Sequence, residues 1–235
     1  MSSFPKIRVS LFLILSLIFI SCSDDNPEVS TVDHKLVFDY KDMESAPEIR
    51  MSVYLVMVSD VSRGASMKIL NEESGLEWHC GSADLRRVSG AGGKWAGCST
   101  FVPVGKGCFP KGRYNVTYED KAENECDTSF TLKYPDGLDE LKASEFPLGL
   151  KIPFEKRLAI YSNEDVLLYF GEDNPAWETN KDIFAEFKNA WSKRVCYSLS
   201  RDSIYCLMPV EELGNEDFTK KTEEKNIEET NSEEN

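Results

Sequence analysis

Residues 112–118 read Gly-Arg-Tyr-Asn-Val-Thr-Tyr, and this stretch decides the fold class. Its apolar side chains, Tyr114, Val116 and Tyr118, alternate with polar ones, which is the two-residue period of an extended strand. A strand with this pattern buries one face and leaves the other in water. The stretch therefore predicts a sheet whose inner face lies against a core.

A hairpin is predicted around this strand. The segment Arg113–Asp120 is followed by a polar turn at residues 121–125 and by a second run of β-branched and aromatic residues, Cys126–Tyr134. Pro110 has no amide hydrogen to donate to a sheet, so we expect the chain to bend into the first strand at Gly112.

Other segments of the chain also favour strands. The run Ile49–Val58 has apolar residues on both faces, which is typical of a central strand covered on both sides. Shorter runs of similar character occupy Leu36–Tyr40, Ser66–Leu70, Arg157–Tyr161 and Val166–Phe170. The Gly-x-Tyr-x-Val-x-Tyr pattern at 112–118 resembles strands of immunoglobulin-like sandwiches. We therefore expect a mainly β fold, with an immunoglobulin-like β-sandwich over residues 34–135.

Residues 136–210 are expected to form an α+β section with one main helix, either as a second domain or as part of the first. Thr179 can cap this helix, because Asp182 follows three residues later as in a capping box. Apolar residues then recur at helical spacing, and the helix is expected to end near Arg194. A shorter helix is expected at Leu138–Ala143.

The N-terminal segment has the features of an export signal. Two basic residues precede the apolar run Val9–Ile20, which is shorter than the roughly 20 apolar residues of a membrane-spanning helix. Residues 19–22, Phe-Ile-Ser-Cys, resemble the lipobox of bacterial lipoproteins, although Phe19 stands where Leu is usual. The resemblance implies that residues 1–21 are a signal peptide that is removed.

The resemblance also implies that Cys22 carries lipid, such as diacylglycerol and palmitate, and that the lipid attaches the chain to a membrane. Residues 22–33 are expected to be an unfolded tether, since few of them are apolar. The acidic pair Asp24 and Asp25 resembles a tag that places some lipoproteins on the outside of the outer membrane. The expected location is the outer membrane, with the body at the cell surface or facing the periplasm.

Charge limits the partners of the chain. The formal net charge is −14, and a body this acidic repels the phosphates of nucleic acid. Residues 211–235 are rich in acidic side chains and show no apolar period, so we expect a disordered acidic tail there.

With Cys22 assigned to lipid, six cysteines remain for disulfides in an oxidising compartment. The segment 195–207 is symmetric about Arg201, which predicts a hairpin. In that register Cys196 lies opposite Cys206, at a distance that a disulfide accepts. The sequence therefore predicts a disulfide between these two residues.

The other four cysteines are harder to pair. A bridge from Cys108 to Cys126 would conflict with the hairpin at 113–134, because Cys126 sits at its turn end and Cys108 lies beyond its opposite end. The preferred pairing joins Cys98 to Cys108 and Cys80 to Cys126.

Catalytic and cofactor motifs find no support in the sequence. Gly93-Lys94 lacks the glycine spacing and the Ser or Thr of a phosphate loop, and no Gly-x-Ser-x-Gly occurs. His79 and Cys80 are adjacent, and adjacent residues of an extended chain point to opposite faces, which disfavours a catalytic dyad. Residues 172–174 offer oxygen ligands for calcium, although a solvated loop explains them as well. No catalytic residue, metal or cofactor is predicted.

Trp78 and Trp95 flank a glycine-rich stretch and are candidate sugar-stacking side chains, with core positions as the alternative explanation. The leading hypothesis is a non-catalytic lipoprotein that binds a protein or glycan partner. The alternative is an extracytoplasmic hydrolase that uses carboxylates. A cleft that holds two carboxylates, one with a raised pKa, would favour the hydrolase.

Overall fold

The computed structural model describes residues 26–90, 92–105 and 107–214. Within these ranges the chain forms thirteen strands, β1–β13, and one α-helix, α1. The strands build two sheets whose inner faces share one hydrophobic core. The predicted mainly β fold, a sandwich of sheets with one helix, is confirmed.

The larger sheet has nine strands. Eight of them follow one path across the sheet, in the order β10 (Leu167–Glu172), β9 (Phe154–Ser162), β11 (Ala190–Leu199), β12 (Ile204–Leu207), β1 (Val29–Asp39), β2 (Glu48–Met57), β6 (Gly93–Phe101) and β5 (Arg86–Gly90). The ninth strand, β13 (Glu211–Glu212), pairs with β11. Strands β1 and β12 run parallel, and every other pair in this sheet is antiparallel.

The smaller sheet has four antiparallel strands. In spatial order they are β4 (Glu77–Cys80), β3 (Gly64–Asn71), β7 (Gly112–Asp120) and β8 (Glu125–Leu132). Strands β7 and β8 form the predicted hairpin, and Tyr118 lies opposite Cys126. The alternation seen in the sequence is confirmed, since Tyr114, Val116 and Tyr118 are buried.

The core lies between the two sheets and is built by the same alternation. In β2, Met51, Val53 and Leu55 are fully buried, while Ser52 and Tyr54 between them are half-buried on the opposite face. Full burial of an aliphatic side chain of this size contributes roughly 1.5–3 kcal/mol. A second core lies beyond the sandwich, where α1 (Asn180–Glu186) covers β9 with its buried residue Ile183.

The main helix begins where the sequence predicts and ends earlier. The side chains of Thr179 and Asp182 form the capping box. The helix ends at Glu186, and the residues from Ala190 onward form β11 between β9 and β12. Pairing on both sides overrides the helical spacing there, so the predicted end near Arg194 was wrong.

The second predicted helix, Leu138–Ala143, is also absent from the described chain. Residues 138–140 form a turn, and a short 3-10 helix occupies Ala143–Glu145. Leu138 and Ala143 are both buried, so their apolar character reflects contact with the core and not a helical face.

The hairpin of β11 and β12 differs from its predicted register by one residue. Tyr197 lies opposite Cys206, and Cys196 lies opposite Leu207. The loop holds four residues, and Ser200, Arg201 and Asp202 have positive φ angles of 53°, 55° and 65°. A shift of one residue turns a side chain to the other face of a sheet, so Cys196 and Cys206 point to opposite faces.

Both predicted unfolded ends are partly ordered. Strand β1 starts at Val29, inside the predicted tether, because pairing with β2 supplies the order that its few apolar residues do not. Leu213, in the predicted tail, is buried against α1 and β9. The predicted signal peptide, Cys22 and the rest of the tail lie outside the described residues.

Candidate functional site

The structure separates the two candidate tryptophans. Trp78 is only 7% exposed and lies in the core, where its ring packs against Phe109 and Tyr114. Its indole nitrogen donates a hydrogen bond to the carbonyl oxygen of Val102 at 2.7 Å. The prediction of Trp78 as a sugar-stacking residue was therefore wrong, because the inward face of β4 buries it.

Trp95 lies in β6 of the larger sheet, and its side chain is on the face of that sheet that points away from the core. We call this face the outer face. Trp95 is half-buried, and its indole nitrogen donates to the carbonyl oxygen of Gly92 at 3.0 Å. The register of β5, β6 and β2 places Val88 and Val56 directly on either side of it. These three side chains form a row across the outer face.

The next row carries a second aromatic ring. Tyr54 lies opposite Gly97 in β6, and Gly97 lies opposite Arg86 in β5. A Cβ atom at Gly97 would lie 2.7 Å from Cδ1 of Tyr54 and 2.2 Å from the carbonyl oxygen of Val53. The Tyr54 ring therefore covers the glycine, and any larger residue there would displace both the ring and the backbone of β2.

We define the outer patch as Tyr54, Val56, Val88 and Trp95. Tyr54 and Trp95 are diagonal neighbours on adjacent strands, so their Cα atoms are about 7–8 Å apart. One ligand can therefore touch both rings. Val88 is 55% exposed. Polar groups border the patch, since Arg86 is exposed on one side and Asp33, opposite Tyr54 in β1, pairs with Lys35 at 2.9 Å.

An open depression lies at the end of β9, beside the loop between β11 and β12. Its lining includes Phe154, Glu155 and Asp202. The guanidinium of Arg157 binds both carboxylates there, at 3.0 Å from Glu155 and 2.8 Å from Asp202. The hydrogen bond from Ser198 and the charge of Arg157 lower the pKa of Asp202, so this carboxyl group stays ionised and is a poor proton donor.

The carboxylates of the described chain do not show the feature that would favour a hydrolase. Every carboxyl group among them whose pKa is shifted has a lowered pKa, set mainly by hydrogen bonds and nearby cations. His79 is exposed and Cys80 is buried, so these neighbours face opposite ways as predicted. In the candidate calcium loop, Asp173 pairs with Lys156 at 2.9 Å. No cluster of three or more acidic, His or Cys side chains suited to a metal occurs in the described ranges.

No two of the six cysteines in the described chain are joined in this structure, and the register of β11 and β12 separates the predicted pair Cys196 and Cys206. Cys80 and Cys126 lie at opposite edges of the smaller sheet, in one row that also contains Met67 and Tyr118. Adjacent strands are about 4.8 Å apart, so three steps separate these cysteines by roughly 14 Å. A disulfide needs Cα atoms within about 7 Å, so the predicted pairing of Cys80 with Cys126 was wrong.

Sequence reasoning identified Trp95 and missed the rest of the patch. Tyr54 is visible in the sequence as one of the residues on the second face of Ile49–Val58. What the sequence does not show is that β6 is the neighbour of β2, which places Gly97 beneath Tyr54 and Trp95 beside it. A glycine two residues after a tryptophan in a strand was the only local signal.

The fold and this surface define a β-sandwich protein with an aromatic patch on the outer face of its larger sheet. Comparison with protein-family models, with curated proteins and with solved structures finds no match for the chain. In the described part of the chain, no helix is both long enough and apolar enough to cross a membrane.

Proposed function

We propose that this protein is a lipoprotein of the outer membrane, attached through lipid on Cys22, whose folded body binds a glycan without catalysis. The observation that carries the binding proposal is the pair of rings, Tyr54 and Trp95, held side by side on the outer face. Aromatic rings offer a flat apolar surface with a polar tip, which suits the mixed apolar and hydroxyl faces of a sugar.

The surroundings of the patch favour a glycan over a protein. A stable protein interface buries about 800 Å² on each partner and has an apolar centre. The outer patch has four side chains, three of them half-buried, and is bordered by Arg86 and the pair Asp33–Lys35. A few rings surrounded by hydrogen-bonding groups match a small polar ligand better than a broad apolar partner surface.

The position of the patch also fits attachment through Cys22. The chain enters the sheet at Val29, and Thr31 lies in the same row as Val56 and Trp95. Even fully extended, residues 22–28 span at most about 25 Å. A lipid on Cys22 would therefore hold the patch close to the membrane, within reach of the glycans of the cell envelope.

Glycan binding is tested with the purified chain on an array of bacterial envelope and host glycans, followed by titration of any glycan retained. Replacing Trp95 or Tyr54 with Ala should weaken binding about tenfold, because a stacking contact of roughly 1–1.5 kcal/mol is lost. Phe170→Ala is the matched control, since Phe170 is 40% exposed on the same sheet at its far edge.

Three results would contradict the binding proposal. The first is retention of no glycan, and the second is an equal loss of binding in Phe170→Ala. The third is turnover of the bound glycan, which would support the hydrolase instead. Retention of a protein partner by the outer patch, with no glycan bound, would replace the proposed ligand class.

The anchor is tested separately by fractionation and intact mass. We expect wild-type protein in the membrane fraction with added lipid mass, and Cys22→Ala in the soluble fraction without it. If the variant remains with membranes as wild type does, or if wild type carries no lipid, Cys22 is not the attachment point.

A further inference from the structure

Cys80 and Cys98 meet across the sandwich. Cys80 ends β4 in the smaller sheet, and Cys98 lies in β6 of the larger sheet. Both side chains point into the shared core, with exposures of 1% and 3%. Strand β4 contacts β6 across this core, where the indole of Trp78 also bonds to the carbonyl oxygen of Val102 just beyond β6, and Cys98 is a neighbour of the Cys80 thiol.

The other four cysteines have different surroundings. Cys196 and Cys206 point to opposite faces of the larger sheet. Cys108 is half-buried beside Tyr134, whose hydroxyl donates to the carbonyl oxygen of Phe109 at 2.6 Å. Cys126 lies across the smaller sheet from Cys80, at the far edge. Cys80 and Cys98 are therefore the two cysteines that face each other from opposite sheets of the buried core.

We propose that Cys80 and Cys98 form a disulfide that ties the smaller sheet to the larger one. The bond is made by exchange with a disulfide oxidant, such as oxidised glutathione or a protein disulfide. One thiolate attacks the oxidant and releases its first thiol, and the second cysteine then attacks the mixed disulfide and releases the other thiol. The protein loses two protons and two electrons, and the oxidant gains them.

The bond is expected to form while the chain folds. Burial, together with the neighbouring Cys98 thiol, raises the pKa of Cys80 to about 12. The thiolate that starts the exchange is therefore scarce in the folded reduced protein, and the oxidant cannot reach a side chain that is 1% exposed. Once formed, the bond joins β4, an edge strand, to the larger sheet.

The test refolds the full chain from the reduced, unfolded state in a buffer of reduced and oxidised glutathione. Free thiols are then blocked with iodoacetamide, and the linked peptides are identified by mass spectrometry. We expect one link between the peptides that contain Cys80 and Cys98. We also expect the melting temperature of the oxidised protein to be about 5–10 °C above that of the reduced protein. This is the stabilisation expected when a disulfide closes the loop between Cys80 and Cys98.

Matched variants separate the bond from general loss of packing. Cys80→Ser and Cys98→Ser should each abolish the difference in melting temperature between oxidised and reduced protein, whereas Cys108→Ser should retain it. A link from Cys80 to Cys126 or from Cys98 to Cys108 in wild type overturns the proposal, as does alkylation of both Cys80 and Cys98. The peptide map of wild type decides the matter even if a variant does not fold, and it is independent of glycan binding.

Discussion

Asp39 is a buried carboxylate that joins separate segments of the chain. Its side chain is 4% exposed, and one oxygen accepts a hydrogen bond from Arg194 at 2.5 Å. Arg194 also donates to the carbonyl oxygens of Met208 and Leu207. Burial would raise the pKa of Asp39, but the hydrogen bonds and charges of Arg194 and Lys41 outweigh it, and the pKa is lowered. The contribution of Asp39 to stability is therefore present at neutral pH and lost in acid, below the ordinary carboxyl pKa.

Replacing Arg194 with Met should reduce the free energy of unfolding by about 3 kcal/mol, because a buried carboxylate loses its main partner. The loss falls at the low end of the usual range because Lys41 and Arg50 still lie 3.2 Å from Asp39. Urea unfolding followed by circular dichroism at pH 7 measures it. Lys41→Met is the control, and its 56% exposed side chain should cost under about 1 kcal/mol. Equal losses in the two variants would contradict the assignment of Arg194 as the main partner.

Single residues also show where sequence reasoning succeeds and fails. His79 and Cys80 face opposite ways, as the alternation of an extended chain requires. Trp78 and Trp95 could not be separated in the same manner, because both lie in strands and both have polar and apolar neighbours. Which face of a strand is buried depends on the sheet packed against it, and that sheet is distant in sequence.

At the scale of elements, short sequence motifs correctly predict where the helix begins and where the β7–β8 hairpin forms. The capping box of Thr179 and Asp182 starts the helix at the predicted residue, because its hydrogen bonds are made within four residues. The hairpin of β7 and β8 forms as predicted for the same reason. The helix end and the β11–β12 register were missed, since both depend on strands that pair from elsewhere in the chain.

The helix cap gives a prediction at this scale. Thr179→Ala should lower the free energy of unfolding by about 1 kcal/mol, because the hydroxyl that donates to the Asp182 carboxylate in the capping box is lost. Lys181→Ala, an exposed change in the same turn, should alter stability by only a few tenths of a kcal/mol. The two variants are compared by thermal unfolding. A loss for Lys181→Ala as large as that for Thr179→Ala would show that the cap is not what stabilises this end.

At the scale of the whole molecule, the larger sheet joins the two sections that the sequence suggested, residues 34–135 and residues 136–210. Strand β12, from the second section, pairs with β1, from the first. Leu199, Ile204 and Cys206 are buried in the same core as Leu36 and Phe38. Removing the second section would therefore expose one edge of β1 and part of the core surface beside it.

This arrangement predicts that residues 26–135 do not fold alone. The fragment should lack a cooperative unfolding transition in urea, because it loses a pairing strand and several fully buried side chains. The fragment of residues 26–214 is the control and should unfold in one transition. A well-dispersed amide spectrum and a cooperative transition for the shorter fragment would show that the sandwich is an independent domain.

The sequence by itself determined the mainly β character of the chain, the β7–β8 hairpin and the start of the helix, because alternation, turn residues and caps act within a few residues of each other. It also supplied the lipobox resemblance on which the proposed anchor rests. Only the tertiary structure decided which strands are neighbours. That choice buries Trp78, sets the ring of Tyr54 over Gly97 beside Trp95, and brings Cys80 to Cys98 across the core. Contacts between distant strands depend on the packing of whole sheets, which no local pattern specifies.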